Sequence, residues 1–463
     1  MEGRDPASFR DPSGFVFREG GVVLRQVNAL YRDDFDRLVD SGLCQELIAA
    51  RLLIPHEDVT ASHTLHGDAY KILRPEPLAF VSYPYEWSFG ALKAAALCTL
   101  AIQRAALAKG LTLKDASAYN VQLHRGRPVF IDTLSFERWT EGEPWVAYRQ
   151  FCQHFLAPLA LMSRVDVRLG QLLRIHIDGI PLDLASRLLP TRTRLSVGLG
   201  LHLHAHARTQ RRHAADAGAA SRIKGAFSRR SFDALIDGLR VLVEGLEWKD
   251  PRGDWTDYYS DTHNYGADGL DTKATAVRAM VEAVRPAVVW DLGANTGRFS
   301  RIAVEVGARL VVAWDVDPAC VERNWRQVVD QKETVLLPLL LDLMNPSPGI
   351  GWAHEERRAL ADRGPVDLLL ALGLVHHLAI ANNVPLGDVA GFLARLGRAA
   401  IIEWVPKEDS QVQRLLAGRK DVFPGYEQAA FEEAFGRHFT IEARTPLAGT
   451  QRTLYRLRTR SAP

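Results

Sequence analysis

At 463 residues the chain is too long for one hydrophobic core, so two to three domains are expected. Apolar content of 47% with 24% charged residues describes an ordinary globular protein, and a net charge of +2 leaves no global attraction for nucleic acid. Four scattered cysteines without a Cys-x-x-Cys pair argue against structural zinc; with no run of about 18 apolar residues and no secretory pattern at Met1–Ser8, no membrane span and a cytoplasmic location are expected.

Residues Gly14–Asn28 alternate as a hairpin turning at Gly20-Gly21. A helix is expected over Asp33–Ala50, a strand region over Tyr70–Tyr83, and a long alanine- and leucine-rich helix over Phe89–Lys109. A chemical signal follows that helix: Asp115, then Asn120 five residues on, then a short hairpin leading to Asp132. Val146–Met162 supplies a further apolar helix.

The Asp115, Asn120, Asp132 spacing resembles the catalytic and metal-binding loops of protein-kinase-like and aminoglycoside-phosphotransferase-like folds. The resemblance implies Asn120 and Asp132 as Mg²⁺ ligands, with Asp115 accepting a hydroxyl proton. Departures weigh against phosphotransfer. There is no Gly-x-Gly-x-x-Gly loop, Arg25 stands where a strand lysine is expected, Lys114 precedes Asp115, and Asp132-Thr-Leu lacks the usual glycine. A degenerate kinase-like domain fits these residues better than an active one, and Mg-ATP is the lesser cofactor expectation; a hairpin with capping Asp and Asn residues explains the same residues without any ligand.

Residues 187–230 carry ten Arg/Lys against the single acid Asp216, with His202, His204 and His206 at alternate positions. Phosphate or RNA binding is one reading, but aromatic interleaving is scarce. Alternate positions do not share a helix face, so a metal site is not expected, and a solvated helical surface is the preferred reading. The aromatic segment from Trp255 to Tyr265 is either a lid or a packed entry to the next domain.

The strongest motif comes later. A buried-type strand, Ala287–Asp291, enters a turn bracketed by Gly293 and Gly297 with Asn295 between them. A helical pattern and a second strand, Arg309–Trp314, ending in Asp315, follow. This order resembles the nucleotide-binding opening of class I S-adenosylmethionine (SAM) methyltransferases. The resemblance covers about residues 250–463. A dinucleotide site, the main competitor, requires Gly-x-Gly-x-x-Gly, and no third glycine stands at that spacing. Further apolar strands are expected at Thr334–Leu341, Pro365–Gly373 and Arg398–Trp404, with helices at Thr272–Val284, Pro318–Asp330 and Ser410–Arg419 and a closing pair at His438–Ala443 and Thr453–Arg458. Such alternation indicates a doubly wound parallel sheet with ligands beyond the strands' carboxyl ends.

The resemblance implies that Asp291, Gly293, Asn295 and Gly297 hold the methionine end of SAM, Asp315 its ribose and Asp342 its adenine. His376 and His377 after the fourth strand, and Glu403 at the fifth, fall on the acceptor side. A histidine suits proton removal near neutrality, although methyl transfer needs chiefly in-line positioning. No Asn/Asp-Pro-Pro-aromatic tetrad or Pro-Cys nucleophile follows the fourth strand, which disfavours nucleobase methylation.

The expected fold is therefore α/β, with a doubly wound Rossmann-like methyltransferase sheet over 246–463. It is preceded by an α+β kinase-like domain over 1–245, with a small lobe to about residue 88 and a helical lobe to 245. The expected function is O- or N-methylation of a small-molecule or sugar- or peptide-derived acceptor delivered between the domains, without a metal. The alternatives are a bifunctional protein whose first half transfers phosphate from ATP, and a non-catalytic SAM-binding scaffold.

Overall fold

The computed structural model describes residues 3–63, 65, 67–205, 228–249, 269–417 and 421–460. The expected lid at 255–265 and half of the basic stretch, 206–227, lie outside them. The chain divides into two compact units, one of residues 1–249 with 351–356 and one of 250–350 with 357–463.

The first unit opens with β1 (Gly3–Arg4), β2 (Gly14–Glu19) and β3 (Val22–Asn28). The turn at Gly20-Gly21 has both residues at positive φ, +55° and +78°, the backbone a two-residue hairpin demands. The helical stretch expected over 33–50 is two helices, α1 (Arg32–Asp40) and α2 (Leu43–Ala49). Gly42 at φ +71° breaks the run, because a left-handed residue cannot continue a helix. Strands β4 (His56–Asp58) and β5 (Ala69–Pro75) complete an antiparallel sheet in the order β1-β2-β3-β5-β4.

Helix α3 (Phe89–Ala108) begins where the Ser88 side chain accepts a hydrogen bond from the Ala91 N–H. It is long and apolar enough, by length and composition, to cross a membrane. Here it serves as a core helix, burying Leu92, Leu100 and Ile102. Its Gln103 is also buried and accepts from the Leu113 N–H at 2.7 Å on β6 (Leu111–Leu113). Next come the hairpin β7 (Val121–His124) and β8 (Arg127–Phe130), and then β9 (Phe136–Arg138), which pairs with β6.

The apolar helix expected at 146–162 is α4 (Tyr148–Phe151), a π-helical turn Cys152–Leu156 and α5 (Ala157–Arg164). Helices α6 (Leu182–Leu188) and α7 (Arg229–Glu244) follow. Antiparallel sheet, helices, a hairpin-bearing loop and a helical remainder make a kinase-like α+β order. His202 and His204 are buried rather than solvated. His202 Nδ1 lies 2.7 Å from the Tyr148 hydroxyl, and His204 sits between Ser186 and Thr193 hydroxyls at 2.8 Å each. A π-helical turn over Gly200–Ala205 carries them, and the two rings meet hydroxyls from different segments.

The second unit starts with α8 (Gly269–Val284) and then alternates strand and helix: β10 (Val288–Leu292), α9 (Arg298–Glu305), β11 (Leu310–Asp315), α10 (Pro318–Asp330) and β12 (Leu336–Leu340). It continues through β13 (Leu368–Ala371), α11 (Leu386–Leu396), β14 (Ala399–Trp404), α12 (Ser410–Leu416) and α13 (Gln428–Gly436) to β15 (Phe439–Pro446) and β16 (Thr453–Thr459). The sheet order is β12-β11-β10-β13-β14-β16-β15. Strands β10 to β14 are parallel, and β16 runs against both of its neighbours. All six residues of β11 and all four of β13 are buried, as strands covered by helices on both faces must be. Trp290 and Trp314 meet edge-to-face at 5.9 Å between adjacent strands, worth roughly 1 kcal/mol beyond their area burial.

Candidate active site

The site is built where β10 and β11 end side by side. Beyond β10 the chain turns through Gly293 (φ +78°), Asn295 (φ +52°) and Gly297 (φ +83°) into α9. The loop hangs from β11 by two bonds: the N–H groups of Gly293 and Ala294 donate to the Trp314 carbonyl at 2.9 and 2.8 Å.

The two glycines serve different purposes. A Cβ on Gly293 would meet only Leu374 Cδ1, at 3.7 Å, so open space fronts the loop there. A Cβ on Gly297 would fall 2.6 Å from Asn324 Nδ2 and 2.7 Å from Arg301 Nη1. Gly293 thus leaves room for a ligand against the backbone, whereas Gly297 satisfies packing between α9 and α10. The sequence reading assigned both to the ligand.

Asp315 is nearly buried at the tip of β11. Its carboxylate accepts from the Asn295 N–H at 2.7 Å and the Asp317 N–H at 2.9 Å, which fixes both oxygens. Burial pushes its pKa up to about 6 in spite of those bonds. Asp291 is buried at the end of β10 and accepts from the Ser300 hydroxyl at 2.6 Å. Burial, with Asp315 nearby, pushes its carboxyl up to about 7. Asp342 lies two residues past β12, is exposed, and accepts from the Met344 N–H at 2.8 Å. A carboxylate with lone pairs to spare, at the end of a neighbouring strand, suits diol recognition.

On the other side of β10, β13 leads through Gly373 into His376 and a π-helical turn over His377–Ala381. The two imidazoles lie 4.2 Å apart. His376 is 2% exposed, and its Nδ1 has no hydrogen-bond partner. Burial first, then neighbouring positive charge including Arg452, lowers both imidazole pKa values, so both rings are neutral at pH 7. This differs from the near-neutral titration expected for proton transfer.

Glu403 at the end of β14 is not a free base. It is fully buried, with one oxygen 2.7 Å from Lys273 Nζ and the other 3.5 Å from Arg452 Nη1. Arg452 in turn pairs with Asp409 at 2.7 Å. Two cations and two anions alternate along this buried chain, so no charge is left uncompensated. Lys273, Arg452 and Asp409 escaped the sequence reading. Lys273 did leave a signal, because it interrupts the stripe Leu270, Lys273, Val277, Met280 and Val281 that α8 buries.

In the first unit, Asp115, Asn120 and Asp132 do converge. Asp115 accepts from the Ser117 N–H at 2.9 Å, and burial, then Asp132, raises its carboxyl pKa. Asn120 Nδ2 donates to Ser135 Oγ at 3.2 Å. Asp132 accepts from the Leu134 N–H at 3.1 Å and from the Ser135 hydroxyl at 2.5 Å, and it forms an ion pair with Arg25 of β3. Lys114 points elsewhere, donating to Ser13 Oγ at 2.8 Å and lying 4.6 Å over the Tyr31 ring.

The strand order with reversed β16, the glycine-bracketed loop and the buried acid at the tip of β11 give the second unit the Rossmann-like fold expected of a class I SAM-dependent methyltransferase. The chain belongs to the family of nodulation protein NoeA: it is 36% identical to that protein of Rhizobium meliloti (strain 1021) over 459 residues, covering 98% of this chain and 95% of the relative. No protein-family description matches the chain. Similar solved structures include magnesium protoporphyrin IX methyltransferase ChlM from Synechocystis PCC 6803 with bound SAM, at 18% identity, covering 44% of this chain and 89% of that one with TM-score 0.30. N-methyltransferase NodS from Bradyrhizobium japonicum WM9 is 9% identical over 42% of this chain and 99% of its own, with TM-score 0.29. The bifunctional kinase-methyltransferase WbdD is 14% identical over 45% of this chain and 42% of its own, with TM-score 0.30.

Proposed function

We propose that the second unit binds SAM and transfers its methyl group to an oxygen or nitrogen of a small-molecule or sugar- or peptide-derived acceptor in the cytoplasm. The open space in front of Gly293, beside the fixed carboxylate of Asp315, is the observation that carries this reading. Asp315 holds the ribose hydroxyls, the Gly293–Gly297 loop with Asp291 holds the methionine end, and Asp342 reaches the adenine.

SAM supplies an electrophilic methyl on a sulfonium; the acceptor's lone pair forms the new bond to carbon while the carbon–sulfur pair returns to sulfur. The protein's task is chiefly alignment of donor and acceptor. His376 and His377, neutral at pH 7, accept a hydrogen bond or the acceptor's proton. Glu403 acts through Lys273 and Arg452, holding the strand ends rather than taking a proton itself.

Calorimetric titration with SAM tests the reading. Micromolar binding is expected, weakened at least tenfold in Asp315→Ala, since losing a charge-assisted acceptor costs about 1.5–3 kcal/mol. Absence of SAM binding to the unaltered protein would sink the proposal.

A further inference from the structure

The kinase-like unit brings together the aspartate, asparagine and second aspartate with which such folds hold Mg²⁺ and nucleotide, yet the residues do not fit that group. The Asp132 carboxylate, which a metal would need, is engaged within the protein at both oxygens. One Asp132 oxygen faces Arg25 and the Leu134 N–H, and the other accepts from the Ser135 hydroxyl. Asn120 spends its amide on Ser135 and also hydrogen-bonds Asp115. Asp115 is tied further to Ser117 and Gln150.

We infer that the Arg25 guanidinium stands in for the divalent cation, making this cluster a metal-free clasp between the sheet and the loop after β8. The charge bookkeeping supports it. The Asp132 carboxylate is mostly buried, 13% exposed, and needs a countercharge there. The guanidinium provides that charge from β3, where its strand also pairs with β5 through Arg25 and Leu73. A planar, always-charged group on a strand is fixed in place, whereas Mg²⁺ must be captured from solution and keeps most of its waters. Arg25 therefore joins the amino-terminal sheet to the Asp132 loop directly, at the place where a phosphotransferase would join them through metal and nucleotide.

The test uses the full chain and its melting temperature, with Mg²⁺ alone and with Mg-ATP as probes. The unaltered protein should melt at the same temperature with and without either probe. Arg25→Met should melt lower and regain part of the loss in millimolar Mg²⁺, because Asp132 then lacks its cation. A Mg-ATP-dependent rise in the unaltered protein, abolished by Asp132→Asn, would overturn the inference, as would an Arg25→Met protein indifferent to Mg²⁺. If Arg25→Met does not fold, Asp132→Asn decides. A lower melting temperature with no Mg-ATP response supports the clasp, and an unchanged one refutes it.

Discussion

At the scale of single residues, the site depends on carboxylates held against their preference. Asp315 and Asp291 have folded pKa values raised to about 6 and about 7 because burial penalises their charged forms. The signs for stability and binding are opposite. A carboxyl whose folded pKa lies above its unfolded value binds more protons when folded, so its stabilising contribution is present at low pH and lost as pH rises through the folded pKa. SAM recognition needs the ionised form. Affinity for SAM should therefore fall by up to about tenfold per pH unit as pH drops below about 6, while the cofactor-free protein gains stability from these two groups over the same window. Titrations and thermal melts across that range check both. A flat affinity profile would mean that Asp315 does not carry the ribose contact.

At the scale of elements, the Lys273–Glu403–Arg452–Asp409 chain fastens α8, β14, the turn before β16 and the segment entering α12. Glu403 is central, with a cation on either side. Glu403→Gln should leave Lys273 without its partner and cost about 3–5 kcal/mol of stability, since a broken buried pair exposes the full desolvation of the remaining charge. Chemical denaturation measures it. A loss under about 1 kcal/mol would show that water reaches the chain. The same elements show how far sequence carries. Continuous apolar strands and several of their helices were legible in the sequence, and Pro318–Asp330 matched to the residue because Pro318 and the Asp317 cap announce its start. The buried charge chain was not legible, because its members lie up to about 180 residues apart and only folding pairs them. The break at Gly42 and the helices α11 and α13 were missed for a different reason: short helices leave weak periodic signals.

At the scale of the whole molecule, each unit has a core of its own. Val277, Val289, Val311, Leu368 and Ile401 belong to one in the second unit, and Val27, Tyr31, Phe35, Leu73 and Leu134 to another in the first. Ligand binding to one unit should register in the stability of that unit. SAM at about one hundred times its Kd should add roughly 2.7 kcal/mol to the unfolding of the second unit and nothing to the first. Scanning calorimetry should show one transition moving and one staying. Movement of both by equal amounts would mean that the units unfold as one.

The cysteines lead somewhere else. All four thiols are free and buried, and burial pushes Cys44 up to about 11 and Cys98 and Cys152 up to about 12, with Cys320 raised further still. A thiol that stays protonated is a poor nucleophile. The folded protein is therefore expected to react only slowly with maleimides and iodoacetamide, which a thiol titration of the native protein checks. A single cysteine placed on an exposed loop should then give a dye or spin label one address without removal of the native thiols.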